Sequence, residues 1–162
     1  MKITILTIAP ELFSAWLSEK KRREETLNQR DQKPVTVEVI DIRDYVHGSF
    51  RAVDDSPYGG GAGMIIRCEP VTGALKALKA WPEKGKDIKI AALTPTGRQF
   101  SQKEAEKLAN EVEHLILLCG HFEGLDERIY TYCDERYSIG DYVLSGGELP
   151  AMVIAEAITS LW

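Results

Sequence analysis

Cysteine is scarce in this chain: Cys68, Cys119 and Cys133 are the three in 162 residues, odd in number and never in C-x-x-C spacing. That argues against a zinc site and a disulfide framework, and a reducing cytosol fits best. No run approaches the roughly eighteen apolar residues of a membrane helix. The opening MKITILTIAPELF has one lysine and no small-residue cleavage pattern, so it reads as a first strand and not as a signal peptide. Positive charge is also short, with 20 Lys and Arg against 25 Asp and Glu, a net charge of −5. A protein that holds nucleic acid by bulk attraction is usually basic, so any such contact must be local or helped by other parts. The local candidate is Lys20-Lys21-Arg22-Arg23, but Glu24 and Glu25 follow at once and favour a solvated helix face. Three signatures are missing altogether. There is no G-x-G-x-x-G after the first strand, no G-x-x-x-x-G-K-[ST], and no G-x-S-x-G hydrolase elbow.

What is present suits one compact domain: 44% of the residues are hydrophobic, and no repeat, low-complexity tract or linker interrupts them. Apolar runs at 3–9, 35–40, 88–93 and 115–119 lack period-two alternation and read as strands of a parallel sheet covered on both faces. Val71, Ala74, Leu75 and Leu78 recur at helical spacing, as do Ala105, Leu108, Ala109 and Val112. Ser101 and Glu104 resemble a capping box opening the second of these helices. A third helix should start at Glu148; it is apolar nearly all round (Met152, Val153, Ile154, Ile158, Leu161, Trp162) and calls for burial in a core or a subunit interface. Alternating strands and helices indicate an α/β fold.

Glycine-bearing loops follow the later strands: Thr94-Pro95-Thr96-Gly97-Arg98, then Gly120-His121-Phe122-Glu123-Gly124, then SIGDYVLSGGELPA over 138–151. In open α/β sheets ligands bind beyond the carboxyl ends of strands. Adjacent Gly146 and Gly147 before a helix let a ligand approach main-chain groups and the unpaired N–H donors of the helix N-terminus. A fourth loop, 48–63, carries Asp54, Asp55, Tyr58 and Gly59-Gly60-Gly61. Its acids could accept from a base edge and its tyrosine could stack on one, or Asp54 could simply cap a turn. His47 and His114 read as ordinary surface or core histidines, and Trp16 and Trp162 as packing residues.

In order along the chain, DIRDY…RAVDDSPYGGGAGM, LTPTGR, LLCGHFEGLDER and SIGDYVLSGGELPAM closely resemble the catalytic-type N-terminal domain of the bacterial tRNA guanine-N1 methyltransferases, the TrmD family of the SPOUT superfamily. The resemblance implies one domain over 1–162, a parallel sheet flanked by helices with a C-terminal deep trefoil knot (an exception to the avoidance of threading), and a homodimer with the pocket at its interface. It implies S-adenosylmethionine as cofactor, held by Thr94, Pro95, Thr96 and Gly97, by Gly120, Glu123 and Gly124, and by Ser138, Ile139, Gly140, Tyr142, Leu144, Gly146, Gly147 and Pro150. It assigns Asp54, Asp55, Tyr58, Gly59, Gly60 and Gly61 to the target base, the guanine 3′ of the anticodon of tRNA. Guanine N1 becomes a good nucleophile only as its proton leaves, so a general base is required, with a donor for charge growing on O6. The target base must also leave its stack.

Several positions depart from the family pattern. Ser160 stands where the family has an arginine, Phe50 where a histidine is usual, and His121-Phe122 where arginine and tyrosine are common. The family's general-base aspartate and its tRNA-gripping C-terminal domain belong to segments beyond Trp162. Methyl transfer by this chain alone is therefore expected to be weak or absent. The family needs magnesium, yet no cluster has the spacing of a dedicated metal site. Two alternatives stay open: a cofactor-binding dimerisation module of a longer or diverged protein, and a SPOUT methyltransferase with another RNA target.

Overall fold

The computed structural model describes residues 1–46, 54–55, 65–120 and 125–161. Five strands form one parallel sheet: β1 (Lys2–Thr7), β2 (Thr36–Asp41), β5 (Ile88–Gln99), β6 (His114–Cys119) and β7 (Glu135–Ser138), in the order β2-β1-β6-β5-β7. A separate antiparallel pair joins β3 (Asp54–Asp55) to β4 (Ile65–Ile66). The helices are α1 (Ser14–Gln29), α2 (Cys68–Ala77), α3 (Gln102–Glu111), α4 (Glu127–Tyr130) and α5 (Glu148–Thr159), with short 3-10 turns at Pro10–Phe13 and Ile42–Tyr45.

The continuous apolar runs are explained by two cores, one on each face. Successive strand residues point to opposite sides. Ile3, Ile5, Leu115, Leu117, Ala91 and Leu93 meet Phe13, Leu108, Ile154 and Ile158 on the face covered by α3 and α5. Leu6, Ile116, Leu118, Ile90 and Ala92 meet Ile42, Val71, Leu75 and Ile129 on the other. A strand buried on both faces has no polar side to alternate with.

Two expectations are corrected. The third strand does not stop at Leu93. Leu93 and Arg98 both pair with Tyr137, so residues 94–97 are an excursion within β5 and pairing resumes through Gln99. The fifth strand, β7, carries too little apolar character to stand out: in ERYS only Tyr137 and Ser138 are buried. The Ser101–Glu104 pair makes half of a capping box. Ser101 Oγ accepts from Glu104 N at 3.2 Å, but the Glu104 carboxylate turns to Arg98 and Tyr137.

Lys20 to Arg23 lie on α1, where Lys21 and Arg22 are exposed and Arg22 pairs with Glu19. Lys20 differs: it pairs with Glu156 of α5 and lies 5.7 Å from the Trp16 ring centroid. Trp16 Nε1 donates to the same carboxylate at 2.8 Å, so this tryptophan joins α1 to α5. His114 is half-buried with Nε2 2.8 Å from Thr4 Oγ1, and burial lowers its pKa.

Candidate functional site

Beyond the carboxyl ends of β5, β6 and β7 lies a cavity of about 280 Å³. Its walls come from stretches far apart in sequence: Thr94, Pro95 and Thr96 from the β5 excursion, Gly120 after β6, and Ser138, Ile139, Gly140, Tyr142, Leu144, Gly146, Gly147 and Pro150 from the last loop and α5. These twelve were singled out from the sequence. Gly97 does not line the cavity. It supports the wall from behind, since a Cβ there would stand 2.7 Å from Arg136 C and O. Glu123 and Gly124, with His121 and Phe122, lie outside the described residues, as do His47, Phe50, Tyr58, Gly59, Gly60, Gly61 and Trp162. Asp54 and Asp55 are described as the backbone of β3.

Glycine has a specific use at two of these positions. Gly140 has φ of +140°, a backbone conformation that L side chains rarely adopt. Its amide donates to Ser138 Oγ, whose hydroxyl donates back to Gly140 O. At Gly147 an added Cβ would stand 3.0 Å from both Cys119 Cα and Gly120 N. Gly147 N donates to Gly120 O at 2.9 Å, which fastens the last loop to the end of β6. The N-terminus of α5 receives its negative charge from the chain itself. Glu148 is buried in the first turn and Thr7 Oγ1 donates to its Oε1 at 3.0 Å, a placement the helix dipole favours.

Behind the β5 wall sits a second polar cluster. Arg98 donates to Glu104 Oε1 at 2.9 Å and to Glu135 Oε2 at 3.0 Å. The hydroxyl of the fully buried Tyr137 donates to Glu104 Oε1 at 2.6 Å. The Arg98 guanidinium, and then the Tyr137 hydroxyl, hold the Glu104 carboxyl below its ordinary range. Burial first, then the bond to Glu104, pushes the Tyr137 phenol up. Arg98 and Tyr137 mark the point where β5 rejoins β7, so the cluster fixes the base of the 94–97 excursion.

The sequence reading did not single out Leu93, Glu127, Tyr130, Arg136 and Tyr137, which also line the cavity. Glu127 and Tyr130 belong to the four-residue α4, too short for a periodic signal. Arg136 and Tyr137 belong to the unrecognised β7. The pair β3–β4 reaches this side of the molecule, because Ile66 bridges Leu125 and accepts from Asp126 N at 2.9 Å. Ser160, at the end of α5, keeps its hydroxyl on Glu156 Oε1 at 3.4 Å. Among the described residues no group of three or more His, Cys, Asp or Glu side chains is placed to hold a metal ion, and no helix is long and apolar enough to cross a membrane.

A parallel sheet covered on both faces, with a cavity beyond its strand ends, defines an α/β protein of the open-sheet class, in which ligands bind at that edge. The sequence places it more narrowly. A family model described as tRNA (Guanine-1)-methyltransferase TrmD matches residues 1–162, and the chain belongs to that family of methyltransferases. It is similar to proteins named tRNA (guanine-N(1)-)-methyltransferase: 42% identical over 161 residues in Ureaplasma parvum, with 99% of this chain and 67% of the relative covered. The corresponding figures are 45% over 164 residues in Ruminiclostridium cellulolyticum, covering 99% and 66%, and 43% over 164 residues in Listeria monocytogenes, covering 99% and 64%. The chain thus spans about two thirds of the length of these relatives.

Proposed function

We propose that this chain is the S-adenosylmethionine-binding, catalytic-type domain of a tRNA guanine-N1 methyltransferase acting on the guanine 3′ of the anticodon. The observation that carries the reading is the meeting of three segments around one cavity: Thr94 to Thr96, Gly120, and Ser138 to Pro150, the ones the family resemblance assigns to the cofactor. The fit is favourable. The cavity is walled in part by backbone whose close approach at Gly147 and Gly97 leaves little room for a side chain, and main-chain groups there can meet an adenine and a ribose. S-adenosylmethionine, when bound, supplies a methyl group on a sulfonium sulfur.

The chain's own residues then act by positioning. Thr94 and Thr96, whose hydroxyls are 3.1 Å apart, present polar groups on the β5 wall. Tyr142 and Leu144, exposed on the last loop, can cover a flat ring. Asp54, Asp55, Tyr58 and the three glycines are assigned to the target base, and the Ile66–Leu125 bridge, which ties β4 to the segment leading into α4, supports that assignment. The proton on guanine N1 is assigned to the aspartate that the resemblance implies beyond Trp162. Most of the tRNA grip is assigned there too, in keeping with the net charge of −5. These 162 residues alone are accordingly expected to bind cofactor but to transfer methyl slowly or not at all. The trefoil knot is part of the proposal, supported by the tie from Gly147 to Gly120. So is a homodimer closing over the cavity, supported by exposed Tyr142, Val143, Leu144, Leu149 and Val153 around its rim and along α5. A cytoplasmic site follows from a tRNA substrate.

Calorimetric titration with S-adenosylmethionine, followed by single-turnover assays on tRNA transcripts with and without that guanine, tests the reading. One-site binding with slow transfer confined to the guanine transcript is the expected result. Absence of binding removes the reading, and transfer to both transcripts moves it to another RNA target.

A further inference from the structure

We propose that Arg136 and Glu127 form a subsite for the α-amino-acid end of the cavity's ligand, Arg136 receiving its carboxylate and Glu127 its ammonium. The inference rests on the S-adenosylmethionine reading above and deepens it. The charge inventory of the lining is the starting point. Among the described residues that line the cavity, Arg136 is the one cation and Glu127 the one carboxylate; all the others are neutral. Both come from the stretch between α4 and β7, apart from the glycine-bearing loops. Adenosine is uncharged, so a ligand made of adenosine and an amino acid carries its zwitterion at one end. A lining with one charge of each sign is complementary to that.

Arg136 is held ready for such a partner. Its guanidinium carbon stands 4.2 Å from the centroid of the Tyr130 ring, which itself lines the cavity. Stacking on an aromatic face leaves the in-plane N–H donors free, in the fork geometry that matches a carboxylate. Its neighbours' carboxylates are already engaged: Glu135 with Arg98 and Asp134 with Lys84. Among the described residues no ion pair joins Arg136 to an acid, Glu127 included. Glu127 and Tyr130 are three apart on α4 and share a face, so the carboxylate and the ring that carries the guanidinium are set on one side of that turn.

The test compares two probes by calorimetry: S-adenosylhomocysteine, which has the amino-acid end without the reactive methyl, and 5′-methylthioadenosine, which lacks that end. The variants are Arg136→Met, Arg136→Lys and Glu127→Gln. Arg136→Met should weaken S-adenosylhomocysteine roughly three- to thirty-fold, the range spanned by exposed and partly desolvated charge pairs. Methylthioadenosine should bind it as it binds the unaltered chain, which also reports that the variant is folded. Arg136→Lys should recover part of the loss, because charge returns without the fork. Glu127→Gln should weaken the first probe alone. Equal weakening of both probes, or no change in either, overturns the subsite while leaving the cofactor reading in place. Failure of the unaltered chain to bind either probe overturns both together.

Discussion

At Gly147 the backbone leaves no room for a methyl group, since an added Cβ would meet Cys119 Cα and Gly120 N at 3.0 Å and Leu93 Cβ at 3.1 Å. Two of those three neighbours are main chain and cannot rotate away. Gly147→Ala should therefore cost about 1–3 kcal/mol, the usual range for overpacking, and lower the midpoint of a thermal melt. Tyr137 poses the opposite case. Tyr137→Phe keeps the volume but removes a donor from the buried Glu104, at a cost of about 1–2 kcal/mol. The same carboxylate gives a pH signature. Its folded pKa lies below the ordinary 4.5, through Arg98 first and Tyr137 second. Its contribution is thus complete above 4.5 and is lost as pH falls through the lower folded value. Melting temperatures measured from pH 6 downward should drop less steeply in Glu104→Gln. The cysteines differ by burial: Cys119 is 2% exposed, burial pushes the Cys133 thiol up to about 12, and Cys68 is half-buried beside Tyr132. Alkylation followed by mass spectrometry should mark Cys68 first, and early modification of Cys119 would contradict the closed end of β6. Glycines of the last loop were legible in the sequence because few linkers pair them with a helix start. The roles of Arg98, Glu127 and Arg136 were not, because a charged side chain's partner lies wherever the fold brings it.

β5 shows why elements are harder to delimit than to detect. The run from Ile88 to Leu93 announces a strand, and Thr94-Pro95-Thr96-Gly97 then looks like its end, with residues that commonly make turns. Tertiary pairing overrides that local signal: Arg98 and Gln99 return to β7 at Tyr137 and Ser138. The return depends on Gly97, where a Cβ would stand 2.7 Å from Arg136 C and 2.8 Å from Tyr137 C. Gly97→Val should separate the two strand ends, and hydrogen exchange should show lost protection at Arg98 and Gln99 while β1 and β6 stay protected. β7 was illegible for a related reason. It is a four-residue edge strand half of whose residues are charged, and only its pairing with β5 defines it. α5 was legible as an apolar helix. Pro150, Ala151, Ile154, Ala155 and Ile158 are buried, as such a helix requires, but Leu149 and Val153 are 58% and 48% exposed.

The whole molecule leaves an apolar band uncovered along that helix and the preceding loop, where Val143 is fully exposed and Tyr142 is 63% exposed. An exposed cluster of this kind is what protein interfaces commonly present. Under the proposed dimer, Val143→Asp should shift light-scattering mass toward the monomer and weaken cofactor binding with it. A mass that is monomeric before the change would remove the dimer. The fold class was readable from the sequence because buried parallel strands and amphipathic helices alternate so regularly. Which α5 residues stay exposed was not readable, since an outward-facing leucine looks the same as an inward one until the helix is seated.

The tie between Gly147 and Gly120 also bears on turnover. The cavity has no complete wall until α5 is seated, so a ligand there binds only chains with that helix in place. At a hundred times its dissociation constant such a ligand adds about 2.7 kcal/mol to the seated state alone. Under the proposed function, saturating S-adenosylmethionine should slow proteolysis of the chain, which limited digestion with and without it would read out.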